Sequence, residues 1–267
     1  MTDLTRRRAR AIAAGVIALA GALVFRMKLG ADPKPVAWIP VIGPVVAALL
    51  VQFPSLGPQL LARGLWWSNV VLGVILVFAG TRNESLLGLP LVLGCGAAIA
   101  LADRRSLAAA AERADFRPTA YAGTIQLLMV LALADAPTLL LFTQVESRHG
   151  MTPASMALGA AAMALLVGFV GLYRVSLWGV LVTAGTSLAL GVALVTGAVH
   201  IDHDLNRPLT VLCAVQVLVA APMLLSLATR RPLPVVPPRV RGALAIALLG
   251  ALALGSVAVA LWRNHRG

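Results

Sequence analysis

The chain has 267 residues, 60% of them hydrophobic and only 12% charged, with a mean hydropathy of +0.91. Soluble domains average about 45–50% apolar and about 25% charged residues, and here apolar runs recur along the whole length, so a soluble fold with one terminal anchor is excluded. The formal net charge of +12 does not point to nucleic acid, because that partner needs a concentrated basic face and these cations are spread over nearly every polar connection.

A spanning helix needs roughly 20 mostly apolar residues at about 1.5 Å each. Nine segments qualify: 11–27, 36–53, 65–80, 86–102, 119–145, 153–173, 175–199, 209–228 and 242–262. The runs are continuous and rich in Ala, Leu and Gly rather than alternating, which argues against a barrel. The predicted fold class is therefore all-α, a polytopic transmembrane helix bundle forming a single integral membrane domain over 1–267.

The first span follows a basic tail, 1–10, that carries Arg6, Arg7, Arg8 and Arg10. That order also resembles a secretory signal, whose removal would leave eight spans. Arg26, Met27 and Lys28 follow without a small-x-small cleavage site, so the segment is read as a span. Trp38, Trp66, Trp67, Trp178 and Trp262, with Tyr121 and Tyr173, fall at the ends of the nine segments, where amphipathic rings favour the headgroup level. With the N-terminus placed in the cytoplasm, fourteen Lys and Arg fall on the cytoplasmic side and eight on the other. This is the asymmetry of a chain with its N-terminus inside and its C-terminus outside. Only two of the 22 basic residues are Lys, a usage associated with GC-rich bacterial coding, so the expected location is a bacterial inner membrane.

Segment 103–118, with Arg104, Arg105 and Arg113, is either an interfacial helix on anionic lipid or a solvated connector. Leu101-Ala102-Asp103-Arg104 at its start resembles the first half of the loop signature of major facilitator transporters. The Gly and basic pair of that signature are replaced by Arg105, Ser106 and Leu107, so the likeness covers four residues.

The fifth span contains Asp135, the only acidic residue well inside any predicted span. Such a group is costly in lipid and should face protein, water or a partner. At about 100° per residue, Thr124 and Thr138 share its side of the helix. Glu146 extends the stripe to the outer end, and Pro137 is expected to free the carbonyl of residue 133 and kink the helix beside the carboxylate. Two readings follow: an ion or proton site at Asp135, Thr138 and Thr124, or an aspartate hydrogen-bonded to Thr or Gln on a neighbouring helix, Gln216 among them, that locks the bundle.

Only Arg174 interrupts the apolar stretch from Pro153 to Val199, so Gly168, Gly171, Tyr173 and Arg174 mark a tight helical hairpin. Gly179, Gly185, Gly191 and Gly197 recur every six residues along its second arm. They suit close helix packing, while Thr183, Thr186 and Ser187 can hydrogen-bond across helices. The outer loop that follows holds His200, Asp202, His203 and Asp204. With His149 and Glu146 it offers imidazole and carboxylate for a divalent metal. The alternative is a solvated loop with Asp204 or Asn206 capping the eighth helix near Arg207-Pro208. The last cytoplasmic loop, 229–241, is stiffened by Pro232, Pro234, Pro237 and Pro238; its Arg230 and Arg231, like Arg104 and Arg105, are candidates for anionic lipid or a partner.

Cys95 and Cys213 sit inside predicted spans and have neither disulfide nor metal-site spacing. No His lies in a span, which excludes a bis-histidine haem, and there is no phosphate loop, His-Glu-x-x-His or nucleophile elbow. No cofactor is implied. The leading expectation is a small transporter or permease with Asp135 as its proton or cation site. A non-catalytic subunit of a membrane complex comes second, and a membrane-embedded enzyme with an outward metal site third.

Overall fold

The structure, a computed structural model, describes residues 3–28, 38–53, 55–79, 82–102, 122–147, 150–174, 176–199, 201, 203–229 and 238–265. Among them are nine helices and no strand: α1 (Asp3–Lys28), α2 (Ile39–Leu50), α3 (Leu56–Ala79), α4 (Arg82–Leu101), α5 (Ala122–Glu146), α6 (Pro153–Tyr173), α7 (Leu177–Val195), α8 (His203–Thr229) and α9 (Pro238–His265). Six carry stretches long and apolar enough to cross a membrane: Ala9–Met27, Leu56–Phe78, Thr124–Gln144, Pro153–Tyr173, Leu177–Val195 and Asn206–Ser226. The shorter apolar stretches Pro40–Leu50, Leu86–Leu101 and Leu249–Trp262 lie on α2, α4 and α9. The chain is thus a membrane-embedded, multi-pass helical protein with one helix for each predicted segment.

The helices form two compact units, Met1–Phe116 with Val236–Gly267 and Arg117–Val235. The first comprises α1 to α4 and α9. Trp66 is fully buried there, packed with Ala14, Ala18, Ala47, Ala62, Cys95 and Ala98. Small residues set these approaches, since association in lipid depends on close van der Waals contact rather than on expulsion of water. A Cβ on Gly15 would come within 2.7 Å of the Ala48 Cβ, and one on Gly73 within 2.7 Å of the Gly88 carbonyl oxygen. Gly21 and Gly94 bring α1 onto α4 in the same way.

Two expectations are corrected in this unit. The third helix begins at Leu56, nine residues before the predicted start, so Trp66 and Trp67 lie inside it and Trp66 is a core residue rather than an interfacial one. The physical reason is Gln59. Its Nε2 donates to the carbonyl oxygens of Val51 at 2.7 Å and Phe53 at 2.8 Å, beyond the end of α2, so a polar residue in the first turns of α3 serves as a cap for its neighbour. Arg63 is likewise buried in α3 and leaves the count of loop cations, without cancelling the asymmetry. Trp38 and Trp262 are exposed near helix ends, and the Arg26 guanidinium lies 5.0 Å from the centre of the Trp38 ring.

The second unit comprises α5 to α8. α6 opens with a reciprocal cap, in which Ser155 N–H donates to Thr152 Oγ1 and Thr152 N–H to Ser155 Oγ, both at 3.0 Å, with Pro153 in the first turn. The predicted hairpin is present. α6 ends at Tyr173, Ser176 Oγ and N–H both donate to the Gly171 carbonyl at 2.6 and 3.0 Å, and α7 starts at Leu177. A Cβ on Gly171 would lie 2.6 Å from Gly179 Cα, so neither position has room for a side chain. Gly197 ends α7 at φ +73°, a left-handed conformation natural to glycine. The eighth helix starts at His203 and runs through Pro208. Positions 204 and 206 therefore lie within the helix, past its N-cap position.

Candidate functional site

The polar residues of the second unit converge at one level. Asp135 lies at the middle of the stretch Thr124–Gln144, Ser187 at the middle of Leu177–Val195 and Gln216 at the middle of Asn206–Ser226. All three are buried, with Asp135 4%, Ser187 3% and Gln216 1% exposed. Three helices thus each present a buried polar side chain near the middle of their apolar stretch.

The three groups form a directed chain. Gln216 Nε2 donates to Asp135 Oδ2, and Ser187 Oγ donates to Gln216 Oε1. The same hydroxyl has a second acceptor, the Thr183 carbonyl at 3.0 Å on its own helix. Glycine makes this approach possible: a Cβ on Gly191, one turn past Ser187, would lie 3.2 Å from the Cys213 Cβ on α8. That short distance brings α8 near enough for Gln216 to reach between α7 and α5. On the other side, Gly168 of α6 faces Thr183, where a Cβ would come 2.5 Å from Oγ1.

Asp135 Oδ1 differs from Oδ2. It is buried and has no hydrogen-bond partner among the described residues, and the same holds for Thr183 Oγ1. Beside Asp135 is a cavity of about 10 Å³, lined on α5 by Asp135 and Leu139, on α6 by Leu165, on α7 by Thr186, Ser187 and Leu190, and on α8 by Cys213 and Gln216 among others. That is the scale of a single water. The site therefore joins a carboxylate held on one oxygen by an amide, its other oxygen buried without a partner among the described residues, to a water-sized space that the Asp135 residue helps to line.

Of the ion-site residues Asp135, Thr138 and Thr124, Asp135 lines this cavity and the two threonines do not. Thr138 is buried one turn away, and its Oγ1 donates to the Ala134 carbonyl at 2.9 Å. Thr124, half-buried, is eleven residues from Asp135, about 16 Å along the helix at about 1.5 Å per residue. Pro137 sits within an unbroken α5. The interhelical partner is Gln216, and Ser187 and Thr186 join from the hydroxyl cluster of the seventh span. Cys213, which the sequence places within a span, lines the cavity as well.

The proposed metal residues His149, His200, Asp202 and the His203 side chain lie outside the described residues, as do segment 103–118, Arg230 and Arg231. Among the described residues no group of three or more His, Cys, Asp or Glu is placed to hold a metal.

Fold and site together define a class: a membrane-spanning helical bundle with a carboxylate-centred polar site within one of its units. No family model, curated protein or solved structure matches the chain.

Proposed function

We propose that this protein is a small transporter or permease whose ion site is Asp135. The observation that carries the reading is the asymmetry of that carboxylate. One oxygen is pinned by Gln216, while the other is buried with no partner among the described residues, and the Asp135 residue lines a water-sized cavity. A group needed only to tie helices together gains most by using both acceptors, because each unmade buried hydrogen bond costs about 1–3 kcal/mol. Retaining an acidic group at mid-span is expensive, and the usual return is an ion pathway.

The competing reading is a structural lock in an accessory subunit. It is favoured by the same Gln216 contact, which ties α8 to α5. The two readings differ on water. A transporter opens its site to each side in turn, whereas a lock stays dry. Cys213 lines the cavity and is a built-in reporter. In a Cys95→Ala background, a small water-soluble thiol reagent is expected to modify Cys213 in membrane vesicles. An unreacted Cys213 in a folded preparation that is fully modified after unfolding would refute transport through this site.

The proposed setting is a bacterial inner membrane with the N-terminus in the cytoplasm, supported by the distribution of Lys and Arg between alternate connections.

A further inference from the structure

We propose that the ion carried at Asp135 is a proton and not a metal cation, accepted on Oδ1, the carboxylate oxygen without a partner among the described residues, with Gln216 and Ser187 as positioning residues that hold Oδ2. This rests on the reading of Asp135 as an ion site and deepens it by naming the ion. Space is the first argument. The cavity of about 10 Å³ accommodates about one water, so no cation enters with its hydration shell and a bare one must find its ligands in the walls.

The walls do not supply them. Calcium takes about six to eight oxygen ligands and magnesium about six in near-octahedral array, and transporter sites for sodium recruit carbonyls from unwound helix. The oxygen-bearing side chains here are Asp135, Thr186, Ser187 and Gln216. Ser187 Oγ and Gln216 Oε1 are engaged with each other, and Asp135 Oδ2 with the Gln216 amide. Asp135 Oδ1 and the Thr186 hydroxyl are left. The prolines add nothing: Pro137 frees the carbonyl of Leu133 and Pro222 that of Leu218. Each of those residues lies two positions from its site residue, about 200° round the helix, and neither lines the cavity. Leu218 is 68% exposed, which confirms that its side of α8 faces outward. α7 is helical without a break from Leu177 to Val195. Two oxygens are enough for one proton and one water, and too few for a metal ion.

Among the described residues, those that line the cavity with Asp135 are Gln216, Cys213 and two leucines from α8, Thr186, Ser187 and Leu190 from α7, Leu165 from α6 and Leu139 from its own helix. None carries a positive charge, so the site changes by one unit of charge whenever a proton arrives or leaves. In the loading step a hydronium ion gives its proton to Oδ1, an O–H bond forms, the carboxylate becomes a neutral acid and a water remains. Release reverses this to a water on the other side. Oδ2 keeps its bond from Gln216 Nε2 throughout, and Ser187 fixes the amide's orientation by donating to Oε1.

The test is infrared difference spectroscopy on the full-length protein in liposomes, titrated with acid in sodium, potassium or choline salts. A carboxylic-acid carbonyl band is expected to appear on acidification, to be missing in a folded Asp135→Asn protein, and to have the same midpoint in all three salts. A midpoint that moves with sodium or potassium concentration would overturn the proton assignment while upholding Asp135 as an ion site. A wild-type band that never titrates would overturn the ion site itself. For the positioning residues, Ser187→Ala is expected to shift the band's frequency and Ser187→Thr to restore it. A frequency unchanged in Ser187→Ala would remove Ser187 and the Gln216 relay from the scheme.

Discussion

Replacing Gln216 by leucine isolates the polar contribution of the mid-span site. The two side chains are of similar size, so the substitution leaves little cavity and its cost comes from hydrogen bonds. In the wild type Gln216 is 1% exposed, donates to Asp135 Oδ2 and accepts from Ser187 Oγ. After the change Ser187 still has the Thr183 carbonyl at 3.0 Å, so its hydroxyl is not stranded. Asp135 is stranded, with both oxygens unmatched. An orphaned buried acceptor costs about 1–3 kcal/mol, and interhelical hydrogen bonds in membranes average about 0.6 and reach about 1.7 kcal/mol. We therefore expect Gln216→Leu to destabilise the fold by about 1.5 kcal/mol, roughly tenfold in the unfolding equilibrium. Asp135→Asn, which keeps an acceptor in place, should cost no more than about 0.5 kcal/mol on the same scale. Combining Asp135→Leu with Gln216→Leu should cost less than the two single changes together. The assay is reversible unfolding in mixed micelles, followed by helical circular dichroism. A Gln216→Leu protein as stable as the wild type, or strict additivity in the double variant, would show that the contact does not operate in the membrane.

Other expected outcomes follow from the packing. At Gly171 a Cβ would meet Gly179 Cα at 2.6 Å, so Gly171→Leu should lower the unfolding midpoint by the equivalent of about 3 kcal/mol. Gly185 has open space around it, and Gly185→Ala should be neutral or stabilising by up to about 1 kcal/mol; a reversed order of these two in a thermal melt would contradict the hairpin geometry. Trp66, fully buried, should cost about 3–5 kcal/mol when cut to alanine. Trp262, which is 54% exposed, should cost little by comparison, and aqueous quenchers of tryptophan fluorescence should spare Trp66.

How much of this was legible in the sequence depended on the kind of signal. Apolar runs of about 20 residues marked every helix, and the Gly171 to Arg174 turn stood out because one helix from Pro153 to Val199 would overshoot a bilayer. The start of α3 was not legible. Gln59 and Arg63 fall between the predicted segments 36–53 and 65–80, and only the positions of the Val51 and Phe53 carbonyls explain why Gln59 is inside. Trp66 was misplaced for the same reason, since its interfacial reading depended on that boundary. At the site, Asp135 was conspicuous as a lone acid within a span, and helical phase placed Thr124 on its side. Phase says nothing of depth, however, and the actual neighbours come from α7 and α8 at the same level. Gln216 was legible only as one possible partner, because one-dimensional spacing does not specify which helices touch. The close approach of α7 to α8 at Gly191, where an added Cβ would meet the Cys213 Cβ at 3.2 Å, makes the choice, and it is a tertiary fact.

The most direct test of Asp135 as a working ion site is proton flux through purified protein in liposomes. A pH-sensitive dye is enclosed and a potassium diffusion potential is imposed across the membrane. Wild-type protein should conduct protons, alone or with whichever solute supports coupled movement. Asp135→Asn should lose that flux while inserting and unfolding like the wild type. Equal flux in the two proteins would contradict the ion site and leave the Asp135 to Gln216 contact as a structural tie between α5 and α8.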